Sequence, residues 1–249
     1  MQITSIKTHK ITVEDTDILK IIDQYITELP ENSILAVTSK IVAICEGGVV
    51  PIESVDKEKL VISEADKYLP KETNTFGLIV TIKDGILAVN AGIDESNIEG
   101  YYVLWPKNAQ TTANSIRHHL QQKFGLKNVG VVITDSKTTP LRWGVTGISI
   151  AQSGFVALNN LIGTPDIFGR LMKMTTVNVV DGIAVSAALV MGEGSEQTPI
   201  AIVTDIPFVQ FQEHNPTEEE LKLLDIEPET DVYGVLLNNA PWKKGHKSE

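Results

Sequence analysis

The sequence predicts an α+β fold in which helices pack on mixed and antiparallel sheets. Three observations carry this prediction. Apolar, β-branched strand segments do not alternate regularly with helices, as a doubly wound sheet requires. Lys83-Asp84-Gly85 separates two apolar runs, 76–82 and 86–90, which is the pattern of a tight hairpin. The segment 183–191 is apolar on nearly every side, as a buried helix is.

The elements follow in order. Residues 2–8 alternate in the manner of a strand, and Asp15-Thr16-Asp17 can cap a helix that presents Ile18, Ile21, Ile22, Tyr25 and Ile26 on one face and ends by Pro30. A buried strand at 33–37 runs into Thr38-Ser39-Lys40 and a helix at 41–45, closed by Gly47-Gly48. An exposed helix is expected over 55–68, stopped by Leu69-Pro70. After the hairpin comes a strand at 101–105, then an amphipathic helix at 111–124 with Ile116, Leu120 and Phe124 inward and Gly125 as its cap. Residues 129–134 form a β-branched strand. Residues 175–180 are a strand or the start of the next helix, and 200–203 is a strand. Pro216-Thr217-Glu218 opens a helix over 216–225, and the tail from Lys243 to Glu249 is expected to fray.

Composition removes several function classes. The 249 residues are 42% hydrophobic and 21% charged, a globular balance that excludes disorder as the main state. The formal charge of −11 argues against a nucleic-acid partner, because the phosphate backbone needs a basic surface. One cysteine, Cys45, excludes a disulfide framework and a Cys-rich zinc site, and it reads as a buried inert thiol. No run reaches the roughly 18 apolar residues of a membrane span. The first residues lack a basic segment followed by an apolar core, so a cytoplasmic protein without membrane partners is expected.

Motif searches for a GxxxxGK[ST] phosphate loop, an HExxH zinc helix and a GxSxG elbow all fail. His118 and His119 read as a solvated helix face. Four polar clusters interrupt the apolar segments instead: 90–97, 134–142, 163–170 and 192–199. Asp94, Asp135 and Glu193 each fall one to three residues past an apolar element. Rigid elements tipped with carboxylates hold hard divalent cations, and the Ser136 hydroxyl could join them. Turn capping explains the same residues. Gly192 and Gly194 around Glu193 would let backbone amides approach phosphate oxygens.

These clusters carry a family resemblance. Val37-Thr38-Ser39-Lys40-Ile41-Val42 with Glu46-Gly47, Ala91-Gly92-Ile93-Asp94 with Ser96-Asn97, and Ile133-Thr134-Asp135-Ser136 with Pro140 and Arg142 occur in order. Asp166, Phe168-Gly169 and Leu189-Val190-Met191-Gly192-Glu193 follow. The chain resembles the coenzyme F-420:L-glutamate ligases over about 38–199. It is closer still to a bacterial branch described as folate-metabolism gamma-glutamate ligases.

The resemblance implies a gamma-glutamyl ligase fold, an intertwined homodimer, and a catalytic domain over 1–215, as one unit or two interleaved subdomains. Residues 216–249 would be a helical extension and tail. It implies two Mg²⁺ or Mn²⁺ ions, GTP or ATP as cosubstrate, L-glutamate, and a folate-type or deazaflavin acceptor. By position it implies Asp94, Asp135, Ser136 and Glu193 as metal ligands, and Ser39, Asn97 and the stretch from Met191 to Thr198, with Gly192, Gly194, Ser195 and Thr198, as nucleotide contacts. Lys40 joins them as a compensating cation. Lys137 or Arg142 would steady the transferring phosphate or an acceptor carboxylate, and Arg170 would do likewise or pair with Asp166.

The chain departs from the family where Gly-Arg-Pro-Trp-Arg becomes Thr138-Thr139-Pro140-Leu141-Arg142, where a lysine becomes Ile44, and where a proline-rich segment becomes His9-Lys10-Ile11-Thr12. The lost arginine and lysine motivate a second reading, a nucleotide- or pterin-binding protein without ligase activity; a third is a metal-dependent phosphohydrolase that uses the same carboxylates with water as the acceptor. The apolar runs near Ile148, Ile150, Phe155, Val156 and Leu158 are long for a chain with few aromatics and, with the resemblance, suggest a homodimer that buries well over about 2,000 Å².

Overall fold

A computed structural model describes residues 1–246. The chain begins with β1 (Gln2–Ile6), α1 (Ile18–Tyr25), β2 (Ser33–Thr38), α2 (Ser39–Cys45), β3 (Val49–Pro51) and α3 (Lys57–Glu64). Next come β4 (Lys67–Leu69), β5 (Val80–Lys83), β6 (Ile86–Val89), β7 (Tyr101–Val103) and α4 (Ala109–Phe124). The long β8 (Val129–Thr138) and β9 (Val145–Ser153) lead to β10 (Leu158–Asn160), β11 (Thr176–Asn178), α5 (Val179–Met191) and β12 (Ile200–Thr204). Short elements close the chain: α6 (Glu218–Lys222), α7 (Gly234–Leu237) and β13 (Lys243–Lys244).

Five strands form the main sheet in the order β1-β12-β2-β8-β9, and only β2 and β8 run parallel within it. Both faces are covered, which explains the unbroken apolar runs. Leu35, Val37, Val129, Val131 and Ile133 face one core with α1, α2 and α4. Ile34, Ala36, Val132 and Val203 face a second core filled by Val180, Ile183, Ala184 and Ala187 of α5. A smaller core, with Leu60, Val61, Ile79, Ala91 and Tyr102, underlies the sheet β13-β4-β5-β6.

Local chemistry sets the element ends. Asp17 caps α1 by accepting from the amides of Leu19 and Lys20. Asp84 and Gly85 have φ of 50° and 76°, the twist that a two-residue hairpin needs. Gly125, at φ 68°, ends α4. Thr217 and Glu220 form a reciprocal capping box at α6.

Several expectations are corrected. The helix expected over 55–68 is only α3, because Lys67–Leu69 pairs with β5 as a strand. Residues 76–79 lie outside the hairpin strand. The segment 175–180 is both a strand and a helix start. β9 was hidden by its glycine, serine and threonine content. The tail does not fray at its start, since Lys243 and Lys244 pair with Tyr68 and Lys67; residues 247–249 of that expected tail lie outside the described residues. Ile148 and Phe155 are buried inside this chain, so they are not available as an interface. Cys45 is half-buried and not fully buried as expected, and burial still pushes its thiol up to about 12, with Asp15 and Asp17 adding to the shift. Among the described residues, no helix is long and apolar enough to cross a membrane.

Gly147 sets how closely α5 approaches the sheet. It pairs with Ser136 across the strands, and a Cβ there would lie 2.5 Å from the Ala184 carbonyl oxygen and 2.9 Å from the Ala188 Cβ. Gly147→Val should therefore cost roughly 2–4 kcal/mol of stability through overpacking, read as a lower urea midpoint. It should also weaken whatever ligand the β8–α5 contact helps to bind. An unchanged midpoint would show that α5 shifts without cost.

Candidate active site

The parallel register aligns Thr38 with Thr134, so the ends of β2 and β8 emerge side by side. Ser39 and Lys40 begin α2 at that edge. Asp135 and Ser136 follow a bulge between Ile133 and Thr134 and lie within β8, not after it as expected. The Thr38 amide donates to the Pro199 carbonyl (2.9 Å), which brings the 192–199 loop to the same edge. Asp94 comes from the smaller layer, held by paired backbone bonds with Val103 of 3.0 and 2.7 Å. Four distant segments thus enclose one cavity of about 540 Å³. Its lining includes Ser39, Lys40, Asp94, Asn97, Asp135, Ser136, Gly192, Glu193, Gly194, Ser195 and Thr198.

The Ser136 hydroxyl donates to Glu193 Oε1 at 2.5 Å. Lys40 Nζ lies 2.6 Å from Asp94 Oδ2 and donates to the Ser96 carbonyl and hydroxyl at 2.9 and 3.0 Å. The Asn97 amide donates to the Gly194 carbonyl at 2.9 Å. Thr198 Oγ1 donates to the Met191 carbonyl, closing the loop base. The Gly194 amide is engaged by Glu196 Oε2 at 2.8 Å, so it is not presented to the cavity as the flanking glycines suggested. Asp135 accepts from the Ser136 amide at 2.7 Å through Oδ1 and from the Trp105 indole through Oδ2.

The two aspartates differ electrostatically. Burial raises the Asp94 carboxyl, but hydrogen bonds from Lys40 and the Ser96 amide outweigh it and hold the group below the usual range. Burial pushes Asp135 up to about 6, and the Asp94 charge adds to it, against hydrogen bonds from Ser136 and Trp105. Five carboxylates (Asp94, Glu99, Asp135, Glu193 and Glu196) line the cavity against two lysines, Lys10 and Lys40. Hard oxygen donors around a carboxylate raised by burial and like charge suit a divalent cation. Among the described residues, no group of three His, Cys, Asp or Glu side chains is clustered tightly enough to ligate one ion.

Lys137 and Arg142 do not line the cavity. Lys137 lies further along β8, and Arg142 is exposed in the loop that joins β8 to β9. Asp166 accepts from the backbone amides of Phe168 and Arg170, forming a turn, while Arg170 is exposed. His118 is exposed, and His119 pairs with Asp23 at 2.7 Å. Ile44, in place of the family's lysine, is buried against the cavity. The segment from Thr8 to Ile11 also lines it, tied to the loop by the Thr8 amide and Gln197 carbonyl. Sequence reasoning missed Trp105, which sits past a strand with no motif around it; Glu196 lay within the expected 191–198 stretch, but its contact with Gly194 depends on the loop's own fold.

Comparison with known proteins places the chain in a family. The family F420-0:Gamma-glutamyl ligase matches residues 5–205. A coenzyme F420:L-glutamate ligase from Methanocaldococcus jannaschii is 32% identical over 217 residues, 78% of this chain and 84% of the relative. One from Methanopyrus kandleri is 31% identical over 193 residues, 70% and 75% of the two chains. One from Archaeoglobus fulgidus reaches 41% over 127 residues, 51% of each. The chain belongs to the F420-0:gamma-glutamyl ligase family, a family of amide-forming ligases.

Proposed function

We propose that this chain joins the amino group of L-glutamate to the terminal carboxylate of a deazaflavin acceptor, using GTP or ATP and two divalent cations. The observation that carries this reading is the meeting of Asp94, Asp135, Ser136 and Glu193 in one carboxylate-rich cavity beside Ser39, Lys40 and Asn97. A triphosphate cannot enter such a cavity unless cations offset the charge. The relatives' names favour a coenzyme F-420 precursor over a folate as acceptor. Intact carboxylates favour catalysis over a binding protein.

Amide formation in water needs an activated acyl group. The γ-phosphoryl group passes to an acceptor carboxylate oxygen and the nucleoside diphosphate leaves. The glutamate nitrogen then attacks the acyl carbon and inorganic phosphate leaves. Bound cations supply charge neutralisation at the phosphates. Asp94, Asp135, Ser136 and Glu193 would hold them. Lys40 places an ammonium beside Asp94 that can serve phosphate oxygens, and Asn97 braces the loop of Gly192 to Thr198. Lys137 and Arg142 would act on the acceptor outside the cavity.

A homodimer completes the reading. Leu141, Trp143, Ile167, Phe168, Met174 and Leu189 are strongly exposed, and soluble monomers rarely present so many large apolar side chains. Light scattering at micromolar concentration should give twice the 27.2 kDa chain mass; a monomer would remove the claim.

Incubation with NTP, Mn²⁺, L-glutamate and either acceptor, followed by mass spectrometry, should show one added glutamyl residue on the deazaflavin with stoichiometric phosphate release. Phosphate release that ignores glutamate would instead indicate a phosphohydrolase. Glutamylation of folate alone would reassign the acceptor.

Asp135→Asn should lower turnover by about 100-fold or more, roughly 3 kcal/mol of barrier. Without cations it should be the more stable protein. A carboxyl raised to about 6 when folded costs stability as pH climbs from about 4 through 6, and the cost is complete above that. The gain at pH 7.5 should be on the order of 2 kcal/mol. Mn²⁺ should raise the melting temperature of the parent and not of the variant. Equal rises in both would exclude Asp135 as a ligand.

A further inference from the structure

The surroundings of Trp105 are more specific than filling a core requires. Its indole carries one polar hydrogen, which can only donate. That hydrogen is given to Asp135 Oδ2, while Oδ1 takes the Ser136 amide. Each carboxylate oxygen therefore has one fixed partner and lone-pair capacity left for a cation.

The ring is held from two further directions. Gly92, at φ 71°, lies against its nitrogen edge, and a Cβ there would collide with Nε1, Cε2 and Cδ1. Lys83 Nζ lies 5.7 Å from the ring centroid and is itself fixed by Glu64 Oε2 at 2.7 Å, with only 5% of the lysine side chain exposed. A cation over an indole face is attracted by the ring quadrupole and holds the ring in place. The indole is also at the junction of the two acidic segments: Trp105 follows β7, whose Val103 is paired with Asp94, and its hydrogen bond reaches β8.

We infer that Trp105 is a positioning residue that fixes the Asp135 carboxylate for divalent-cation binding, with Gly92 and Lys83 locking the indole. Carboxylates that bind metals are commonly oriented by such a hydrogen bond, and its loss typically weakens metal affinity 10–100-fold. The inference rests on the metal reading of the proposed function.

The test is Mn²⁺ affinity of the nucleotide-free protein by electron paramagnetic resonance, with Trp105→Phe beside the parent. Phenylalanine keeps a buried ring and removes the donor. The expected result is a 10–100-fold weaker site in the variant, with kcat falling and the acceptor KM little changed. Affinity within twofold of the parent overturns the positioning role and leaves the metal reading intact. A parent that binds no Mn²⁺ overturns the metal reading and this inference with it. Should Trp105→Phe fail to fold, the chain with Trp143→Phe and Trp242→Phe keeps Trp105 as its sole indole. Mn²⁺ should then quench its fluorescence with the same midpoint as the resonance titration. Bound Mn²⁺ with no fluorescence change would overturn the assignment.

Discussion

The parallel pairing of β2 with β8 is the constraint on which the site depends. In an otherwise antiparallel main sheet, this pair sends two strand ends out of the same edge. Ser39 and Lys40 leave one strand there, and Asp135 and Ser136 ride on the extension of the other. β12 runs the opposite way beside β2, so its beginning, and the 192–199 loop before it, must arrive at that edge too. The bulge at Ile133 and Thr134 then changes the register just ahead of Asp135. A bulge beside a site is a common way to re-aim a side chain. Gly147 serves the same edge from the far side, since without a side chain it lets α5 settle close enough for Glu193 to reach Ser136.

Charge is the second organising element. A cavity with five carboxylates would repel both itself and a nucleotide. Protein groups offset part of this: Lys40 at Asp94, the Ser136 hydroxyl at Glu193, and amide and indole hydrogens at Asp135 and Glu196. Asp135 is the less compensated of the two aspartates, because it is more deeply buried and its hydrogen-bond partners are neutral dipoles, while Asp94 is hydrogen-bonded to a full cation. The local need for positive charge is thus greatest at one buried carboxylate, where the proposed divalent ion would gain most.

Legibility in the sequence followed the range of the forces involved. The hairpin at Asp84-Gly85, the cap at Gly125 and the start of α6 at Thr217 depend on neighbouring residues and could be read directly. The apolar runs of β2, β8 and α5 announced burial, yet not which faces were covered. β9 could not be read, because Gly147, Ser149 and Ser153 answer to α5 and to Arg117, which lie far off in sequence. Asp94, Asp135, Ser136 and Glu193 were visible as polar interruptions after apolar elements, and the structure does gather them. Arg142 was legible as a motif residue, but the length of β8 carries it away from the cavity. Trp105 was invisible, since nothing local distinguishes a core indole from one whose N–H meets a distant carboxylate.

The cavity also joins the two layers of the molecule. Asp94, Asn97 and Trp105 belong with the smaller layer; Lys40, Gly194 and Asp135 belong with the main sheet. Their contacts pair across the boundary: Lys40 with Asp94, Asn97 with the Gly194 carbonyl, Trp105 with Asp135. Apolar packing crosses as well, through Val103 and Ile98, but it fixes distance more than orientation. The polar links set the angle at which the two aspartates face each other. On the proposed function, phosphate oxygens and cations would compete for Lys40 and Asp94 and would replace that link with bonds of their own. Asp135, held from both layers by Ser136 and Trp105, would be the fixed point against which such an exchange takes place.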